Sequence, residues 1–328
     1  MEPKTIKRIG VLTSGGDSPG MNAAIRAAVR AGFYYNIEMY GIYRGYEGMI
    51  QNDIKKLDSK HITHVLERGG TFLKSARSEE FRTVEGRKKA YENLKLHEID
   101  ALVVIGGDGS LTGAHLFFQE YGIPSIGLPG TIDNDLSGTD FSIGFDTACN
   151  TAIQAIDKIR DTATSHDRLF FVEVMGRDAG FIAINAGIGS AAAAILIPEK
   201  KMLIEELIEK LKIRTKAKKA SNIVIVAEGG KSGGATEIAE KVKKFLPYYD
   251  IKVTILGHLQ RGGAPTSFDR LLSSKLGVAA IEGLLAGKYD VMAGLINHKV
   301  VYTPIKKAIV ADKTVDDEDF RIAKILST

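Results

Sequence analysis

One stretch constrains this chain more than any other: Val103-Val104-Ile105-Gly106-Gly107-Asp108-Gly109-Ser110, a β-branched run that empties into three glycines around one carboxylate. Such a run, with a helical pattern after it, reads as a buried strand whose tip carries no side chains. Glycine lets the backbone take positive φ and lets a ligand approach to contact. Successive N–H groups in such a turn form a concavity for anions, and the next helix start adds partial positive charge. A lone carboxylate in an anion cradle makes chemical sense when a cation lies between the two. The loop therefore points to a polyphosphate with magnesium, and to Asp108 as a metal ligand. Considered alone, a tight strand–helix turn with a capping Asp explains the same residues equally well.

Two further strand ends share this grammar. Ile9–Leu12 ends in Thr13-Ser14-Gly15-Gly16-Asp17-Ser18-Pro19-Gly20, ahead of a helix from Met21 to about Gly32. Ser125–Leu128 ends in Pro129-Gly130-Thr131-Ile132-Asp133-Asn134-Asp135, with two carboxylates two residues apart. In an open parallel sheet, ligands gather at the carboxyl ends of the strands. Three polar, glycine-rich strand ends then converge on one crevice, which chance placement explains poorly.

Strand-like and helix-like segments alternate throughout. Glu38–Tyr43, Ala101–Ile105, Leu169–Val174, Ala194–Ile197, Ile223–Ala227 and Val253–Leu256 read as strands, and Leu111–Tyr121, Leu203–Lys212, Thr236–Leu246 and about Phe268–Leu285 as helices. In Asp146–Thr162 the apolar positions Ala148, Ala152, Ile156 and Ile159 recur at three and four, while Asn150, Gln154, Asp157 and Asp161 face away. This order predicts an α/β fold of two lobes, each a mainly parallel sheet flanked by helices, with the active site in the cleft between them. The expected lobes are about 1–144 plus 260–310, and about 145–259 plus 311–328.

The 328 residues, 44% hydrophobic and 26% charged, suffice for two such cores. Net charge is +4 without a long basic run, and Lys216, Lys218, Lys219 and Lys241, Lys243, Lys244 are short clusters on helix flanks; nucleic acid is not an expected partner. The single Cys149 excludes an internal disulfide and the seven histidines lack zinc spacing. The charged Met1–Arg8 runs straight into a strand, which predicts no signal peptide, and no apolar run approaches membrane-spanning length. A cytoplasmic protein without a membrane partner is expected.

The later half carries different chemistry at its strand ends. Asp167-Arg168 opens one strand and Met175-Gly176-Arg177 closes it; Glu228 closes the next; Lys252 opens a strand that ends Gly257-His258-Leu259-Gln260-Arg261-Gly262-Gly263. Arginines grip phosphate through paired donors, and a glutamate and a histidine beside them can bind sugar hydroxyls. Singly, each is more often a surface ion pair or a structural histidine. Their shared place at strand ends points to a small phosphorylated, hydroxylated molecule.

Over essentially its whole length the chain resembles the bacterial ATP-dependent 6-phosphofructokinases. The matching blocks are LTSGGDSPGMNAAIR at 12–26, RGGTFLKSARSEEFR at 68–82, VIGGDGS at 104–110, PGTIDND at 129–135, RDTATSHDR at 160–168, VEVMGR at 172–177 and GHLQRGG at 257–263. The resemblance implies that Gly16, Tyr46, Arg77, Ser78, Arg82, Gly107, Asp108, Gly109, Ser110 and Gly113 hold ATP, with Asp108 and Asp135 on magnesium. It implies Asp133 as base at the sugar's 1-hydroxyl, Thr131 orienting the phosphoryl group beside Ile132, and Arg77 and Arg177 neutralising its charge. Met175, Gly176, Arg177, Glu228, His258, Leu259, Gln260 and Arg261 would bind fructose 6-phosphate, with Arg168 and Lys252 reaching in from a neighbouring subunit of a homotetramer. Pyrophosphate-dependent relatives carry an acid where this chain has Gly109 and a lysine where it has Gly130, so ATP is the expected donor. A related enzyme using pyrophosphate or another sugar phosphate, and a nucleotide sensor without catalysis, are the competing readings.

Two departures stand out. Lys252 replaces an arginine, keeping charge but losing the two-pronged geometry. In the effector site implied between subunits, Arg26, Arg30, Arg160 and Lys219 match the basic cluster. Ser59 replaces an arginine, His64 an acid, Ala193 the magnesium-binding glutamate and Ala217 a lysine. Blunted or altered response to ADP or phosphoenolpyruvate is the expectation.

Overall fold

The computed structural model describes residues 6–165, 168–200, 202–216, 223–230, 233–310 and 313–327. The elements run β1 (Arg8–Thr13), α1 (Met21–Tyr34), β2 (Glu38–Ile42), α2 (Gly45–Ile50), β3 (Ile54–Lys56), α3 (Val84–Leu96), β4 (Ala101–Gly106), α4 (Asp108–Tyr121) and β5 (Ser125–Pro129). They continue as α5 (Phe145–Ser165), β6 (Leu169–Val174), α6 (Phe181–Gly189), β7 (Ala194–Leu196), α7 (Ile204–Lys216), β8 (Ile223–Ala227), α8 (Ala235–Phe245) and β9 (Ile251–Ile255). Last come α9 (Ser267–Leu285), β10 (Val291–Ile296), β11 (Lys299–Pro304), α10 (Ile305–Val310) and α11 (Asp317–Leu326).

Two compact units result. The first comprises Met1–Ile132, Leu136–Thr147 and Arg261–Lys313; the second Asp133–Asp135, Ala148–Gln260 and Thr314–Thr328. In the first unit a seven-stranded sheet has the order β11-β10-β5-β4-β1-β2-β3. Its middle strands β5, β4, β1 and β2 are parallel, and β3 and β11 add antiparallel edges. Every residue of β4 is buried, as a strand covered on both faces requires. One face packs Met21, Ile25 and Val29 of α1 with Leu272, Leu276 and Leu284 of α9; the other packs Leu111 and Phe117 of α4 with Leu94 of α3. In the second unit four parallel strands run β7-β8-β6-β9, leaving β9 as an edge.

Several boundaries differ from expectation. The helix expected from Leu111 begins at Asp108, because the glycine turn is itself the first helical turn. The helix expected over Asp146–Thr162 spans Phe145–Ser165, with Ala148, Ala152 and Ile156 inward and Asn150, Gln154, Asp157 and Asp161 exposed. Unanticipated from the sequence pattern are α2, β3, α3, α6, the β10–β11 hairpin, α10 and α11.

Candidate functional site

Because β1, β4 and β5 are adjacent and parallel, their carboxyl ends meet. Ser14 N donates to Ile105 O (3.0 Å) and Gly130 N to Gly106 O (3.0 Å), tying all three turns through backbone. A Cβ on Gly106 would lie 2.5 Å from Ser110 Oγ and 2.6 Å from Ser14 O, so only glycine lets the turns close this far. Gly107 caps α4 without a side-chain bond, and Asp108 lies in its first turn, where an anion meets the positive helix end. Gly109 is different: its Cβ would meet nothing within 4 Å. Gly130 has a packing reason, since a Cβ there would lie 2.9 Å from Ile105 and 3.0 Å from Met21.

Segment 68–82 wraps these turns. Thr13 Oγ1 lies 2.9 Å from Thr71 Oγ1 and donates to Lys74 O, and Ser75 Oγ donates to Gly15 O. Arg77 is exposed, and Arg82 is exposed beside Glu79. Ser78 Oγ donates to Glu47 and accepts from Phe81 N. Tyr46 is buried; its hydroxyl donates to Ser110 O (2.6 Å), its ring stacks on Phe81, and a Cβ on Gly113 would lie 2.9 Å from it. Burial pushes its phenol far above the usual range, so it stays a donor. Tyr46 therefore supports the β4–α4 turn from beneath.

Arg87, an unanticipated member, holds this segment. Its side chain, 7% exposed, makes a two-pronged pair with Glu120 (2.7 and 2.6 Å) and donates to Phe81 O and Arg82 O. Glu120 raises the guanidinium pKa further, against the opposing effect of burial. Breaking a buried pair costs about 3–5 kcal/mol, but Glu120 is 30% exposed, so Arg87→Ala should lower unfolding free energy by about 2 kcal/mol in urea titrations at fixed protein concentration. A loss under about 0.5 kcal/mol would reduce the pair to a surface bridge.

Thr131, Ile132 and Asp133 are buried where the β5 turn leaves the sheet. Ser142 Oγ holds Thr131 O at 2.6 Å, and Asp135 is half-buried. In the first unit the Arg261 guanidinium lies against Gly16, 2.7 Å from its Cβ position, and donates to Asp17 O (3.0 Å).

In the second unit the carboxyl ends of β6, β8 and β9 align. Glu228 Oε1 accepts from Gly176 N (3.2 Å) and Arg177 N (2.9 Å), so this acid shapes the Met175–Arg177 turn. Met175 is buried; Arg177 is exposed and left-handed at φ 56°, a conformation that costs a non-glycine residue energy. His258 and Leu259 are exposed on the 3-10 turn Gly257–Arg261, while Gln260 is fully buried with its amide on Gly257 O. Arg168 and Lys252 lie at the opposite ends of β6 and β9, roughly 15–20 Å of strand away. Both bind Asp250, at 2.8 and 2.9 Å, and those cations hold its carboxyl below the usual range.

Arg26 and Arg30 line a recess of about 290 Å³ with Thr63, His64 and Glu67. Arg160 is half-buried on α5, Ser59 is exposed and Ala193 is fully buried; Lys219 and Ala217 lie outside the described residues. Cys149 is buried.

Glycine-rich turns at three adjacent strand ends in one unit, and Arg, Glu and His at aligned strand ends in the other, define an α/β protein that presents backbone N–H groups and cations at its strand tips. The phosphofructokinase family model matches residues 8–284, and the chain belongs to that family. It is 56% identical over 323 residues to the ATP-dependent 6-phosphofructokinase 2 of Bacteroides thetaiotaomicron, covering 98% of this chain and 99% of that one. The ATP-dependent 6-phosphofructokinase 1 of Thermus thermophilus is 49% identical, covering 98% and 100%. Among solved structures, phosphofructokinase from Saccharomyces cerevisiae superposes with a TM-score of 0.88 at 40% identity, covering 92% of this chain but 45% of the yeast chain. A pyrophosphate-dependent phosphofructokinase from Marinobacter aquaeolei shares the fold at TM-score 0.85 and 22% identity, covering 98% and 92%.

Proposed function

We propose that this chain transfers the γ-phosphoryl group of ATP to the 1-hydroxyl of fructose 6-phosphate, giving fructose 1,6-bisphosphate and ADP, the committed step of glycolysis. The observation that carries the reading is the knitted set of β1, β4 and β5 turns, whose Gly109 has no packing reason to be glycine. Room left there suits the α-phosphate of a nucleotide and favours ATP over pyrophosphate. A coupled ADP-release assay with ATP, magnesium and fructose 6-phosphate, repeated with pyrophosphate, tests it. Equal turnover with pyrophosphate would overturn the donor; no turnover with either would overturn the reaction.

ATP takes the β4–α4 turn with Gly16, Ser78, Arg77 and Arg82, and Tyr46 and Gly113 support that turn. Among the described residues no three His, Cys, Asp or Glu side chains form a cation cage. Asp108 at the helix start fits magnesium, which keeps most of its shell in phosphate oxygens and water and takes one or two carboxylates; Asp135 is the proposed second. When bound, magnesium supplies charge neutralisation on the phosphates. Asp133 orients the 1-hydroxyl and accepts its proton as the new O–P bond forms. Thr131, Arg77 and Arg177 hold and neutralise the phosphoryl group; phosphoryl transfer needs mainly positioning and charge. Glu228, through the Met175–Arg177 turn, and His258, Leu259, Gln260 and Arg261 position the sugar phosphate.

Arg168 and Lys252 sit at the wrong end of their sheet to join that set, which supports their service to a neighbouring subunit. The edge strand β9 and the following turn expose Ile255 (58%) and Leu259 (60%), a surface suited to a second copy, and a homotetramer with shared sites is proposed. Lys252→Arg should lower the apparent KM for fructose 6-phosphate without raising kcat, because a two-pronged donor replaces a point charge. An unchanged KM would mean that Lys252 serves only Asp250. At the effector site that the family resemblance implies between subunits, ADP should activate weakly at subsaturating substrate, since Ala193 stands where a magnesium-binding glutamate is usual; strong activation would sink this. The donor's identity and the single buried cysteine favour the cytoplasm, and among the described residues no helix is long and apolar enough to cross a membrane.

A further inference from the structure

Asp269, in the first turn of α9, is fully buried. Three neutral donors reach its carboxylate: Gly144 N at 2.8 Å, Thr147 N at 2.8 Å and Thr147 Oγ1 at 2.5 Å. Those residues form the start of α5, so an acid on one helix caps the N-terminus of another. The favour is returned. Thr266, which caps α9 by accepting from Asp269 N, donates its hydroxyl to Asp146 (2.6 Å) and its N–H to Thr147 Oγ1 (3.1 Å). A third element closes against this knot. A Cβ on Gly20 would lie 2.9 Å from Ser273 Oγ and 3.6 Å from Asp269 Cβ, and one on Gly144 would lie 2.6 Å from Ser18. The turn Ser14–Gly20 and the starts of α5 and α9 thus share one buried polar core.

Stability alone does not account for this carboxylate. Burial pushes Asp269 up to about 6, against the hydrogen bonds from Thr147 and Gly144, and Asp146 adds to the rise. The other charged groups on the elements packed there are Asp17 on the turn, Arg26 and Arg30 on α1, Asp157, Lys158, Arg160 and Asp161 further along α5, and Arg270, Lys275 and Glu282 on α9. A native pKa above the unfolded 3.8 means that the folded state holds the proton more tightly. Asp269 therefore subtracts stability as pH rises through that window, and the loss is complete at neutral pH.

We propose that Asp269 is a positioning residue for phosphoryl transfer, its carboxylate holding the segment that follows Thr131–Asp135 in register with the turn Ser14–Gly20. The path is short. Thr131 O accepts from Ser142 Oγ, Ile143 N donates to Pro129 O (2.7 Å), and Gly144 and Thr147 end on Asp269. The inference rests on the roles assigned above to Thr131 and Asp133.

The test is a pH–rate profile between about pH 5 and pH 8 for the wild type, Asp269→Asn and Thr147→Val. The wild type should lose kcat on an acid limb near 6. Asp269→Asn, with one accepting oxygen fewer, should lower kcat about 10- to 100-fold, hold both KM values within about 3-fold, and lack that limb. Thr147→Val keeps the backbone donors, removes the hydroxyl and should move the limb upward. A kcat within about 2-fold of wild type in the Asn variant, or an unmoved limb in both variants, overturns the proposal. Amide exchange at Gly144 and Thr147 should quicken in Asp269→Asn and needs no substrate. Unchanged exchange overturns the positioning role by itself, whereas an inactive wild type with quickened exchange overturns only the assigned reaction.

Discussion

Asp133→Ser should leave magnesium-ATP binding within about 2-fold of wild type while lowering turnover about 10²- to 10⁴-fold, the range that a positioned general base contributes. The asymmetry follows from where the residue sits. Asp133 is buried and follows the β5 turn in sequence, past Gly130, whose N–H bonds Gly106 O; that bond and the Ser14–Ile105 bond tie the three glycine-rich turns together. Truncating it removes none of those backbone bonds, and a serine fits the space. In the proposed reaction its loss removes the group that holds the 1-hydroxyl in line and takes its proton. Calorimetric ATP titration beside the ADP-release assay separates the two effects. Near-normal turnover in the variant would take Asp133 out of the base role, and a lost ATP affinity would assign it to nucleotide binding instead.

What could be read in the sequence was whatever a local pattern carries. The unbroken run Ala101–Gly106 announced a central strand because a parallel strand is buried on both faces. α5 announced itself by apolar spacing. By contrast α6, Phe181–Gly189, is apolar nearly all round and shows no periodic face. The β10–β11 hairpin turns on Asn297-His298, both at positive φ (48° and 64°), without the Asn-Gly that signals such a turn. α3 is rich in charge, and its marker was the capping Thr83 that accepts from Gly86 N. Within the site, glycines and acids at strand tips were legible because few residue types can occupy those positions. The supports were not: Arg87 on Glu120, Glu228 beneath the Met175–Arg177 turn and Asp269 on Thr147 all join residues far apart in the chain. Arg261 shows the same limit. The resemblance implies that it binds the sugar phosphate, and in this structure its guanidinium donates to Asp17 O in the Ser14–Gly20 turn.

Gly109→Asp should separate folding from nucleotide use. Gly109 lies in the first turn of α4, outside the residues with positive φ, and a Cβ there would meet nothing within 4 Å. Glycine inside a helix costs up to about 1 kcal/mol relative to alanine, and an acid in the first turn gains about 0.3–1 kcal/mol from the helix dipole. The variant by itself would therefore be no less stable than the wild type, and thermal unfolding should show a Tm equal to or above it. The cost falls on the ligand. Two like charges about 4 Å apart repel by about 1 kcal/mol in water and about 4 kcal/mol at an effective dielectric near 20, which is about 5- to 1,000-fold in affinity. The apparent KM for ATP should rise within that range, while pyrophosphate, having no α-phosphate and nucleoside to accommodate, should bind with a smaller loss. A variant that keeps the wild-type KM for ATP would show that the space beside Gly109 is not where the nucleotide lies. One that lost ATP together with its Tm would return Gly109 to a structural role, against the open space seen around it.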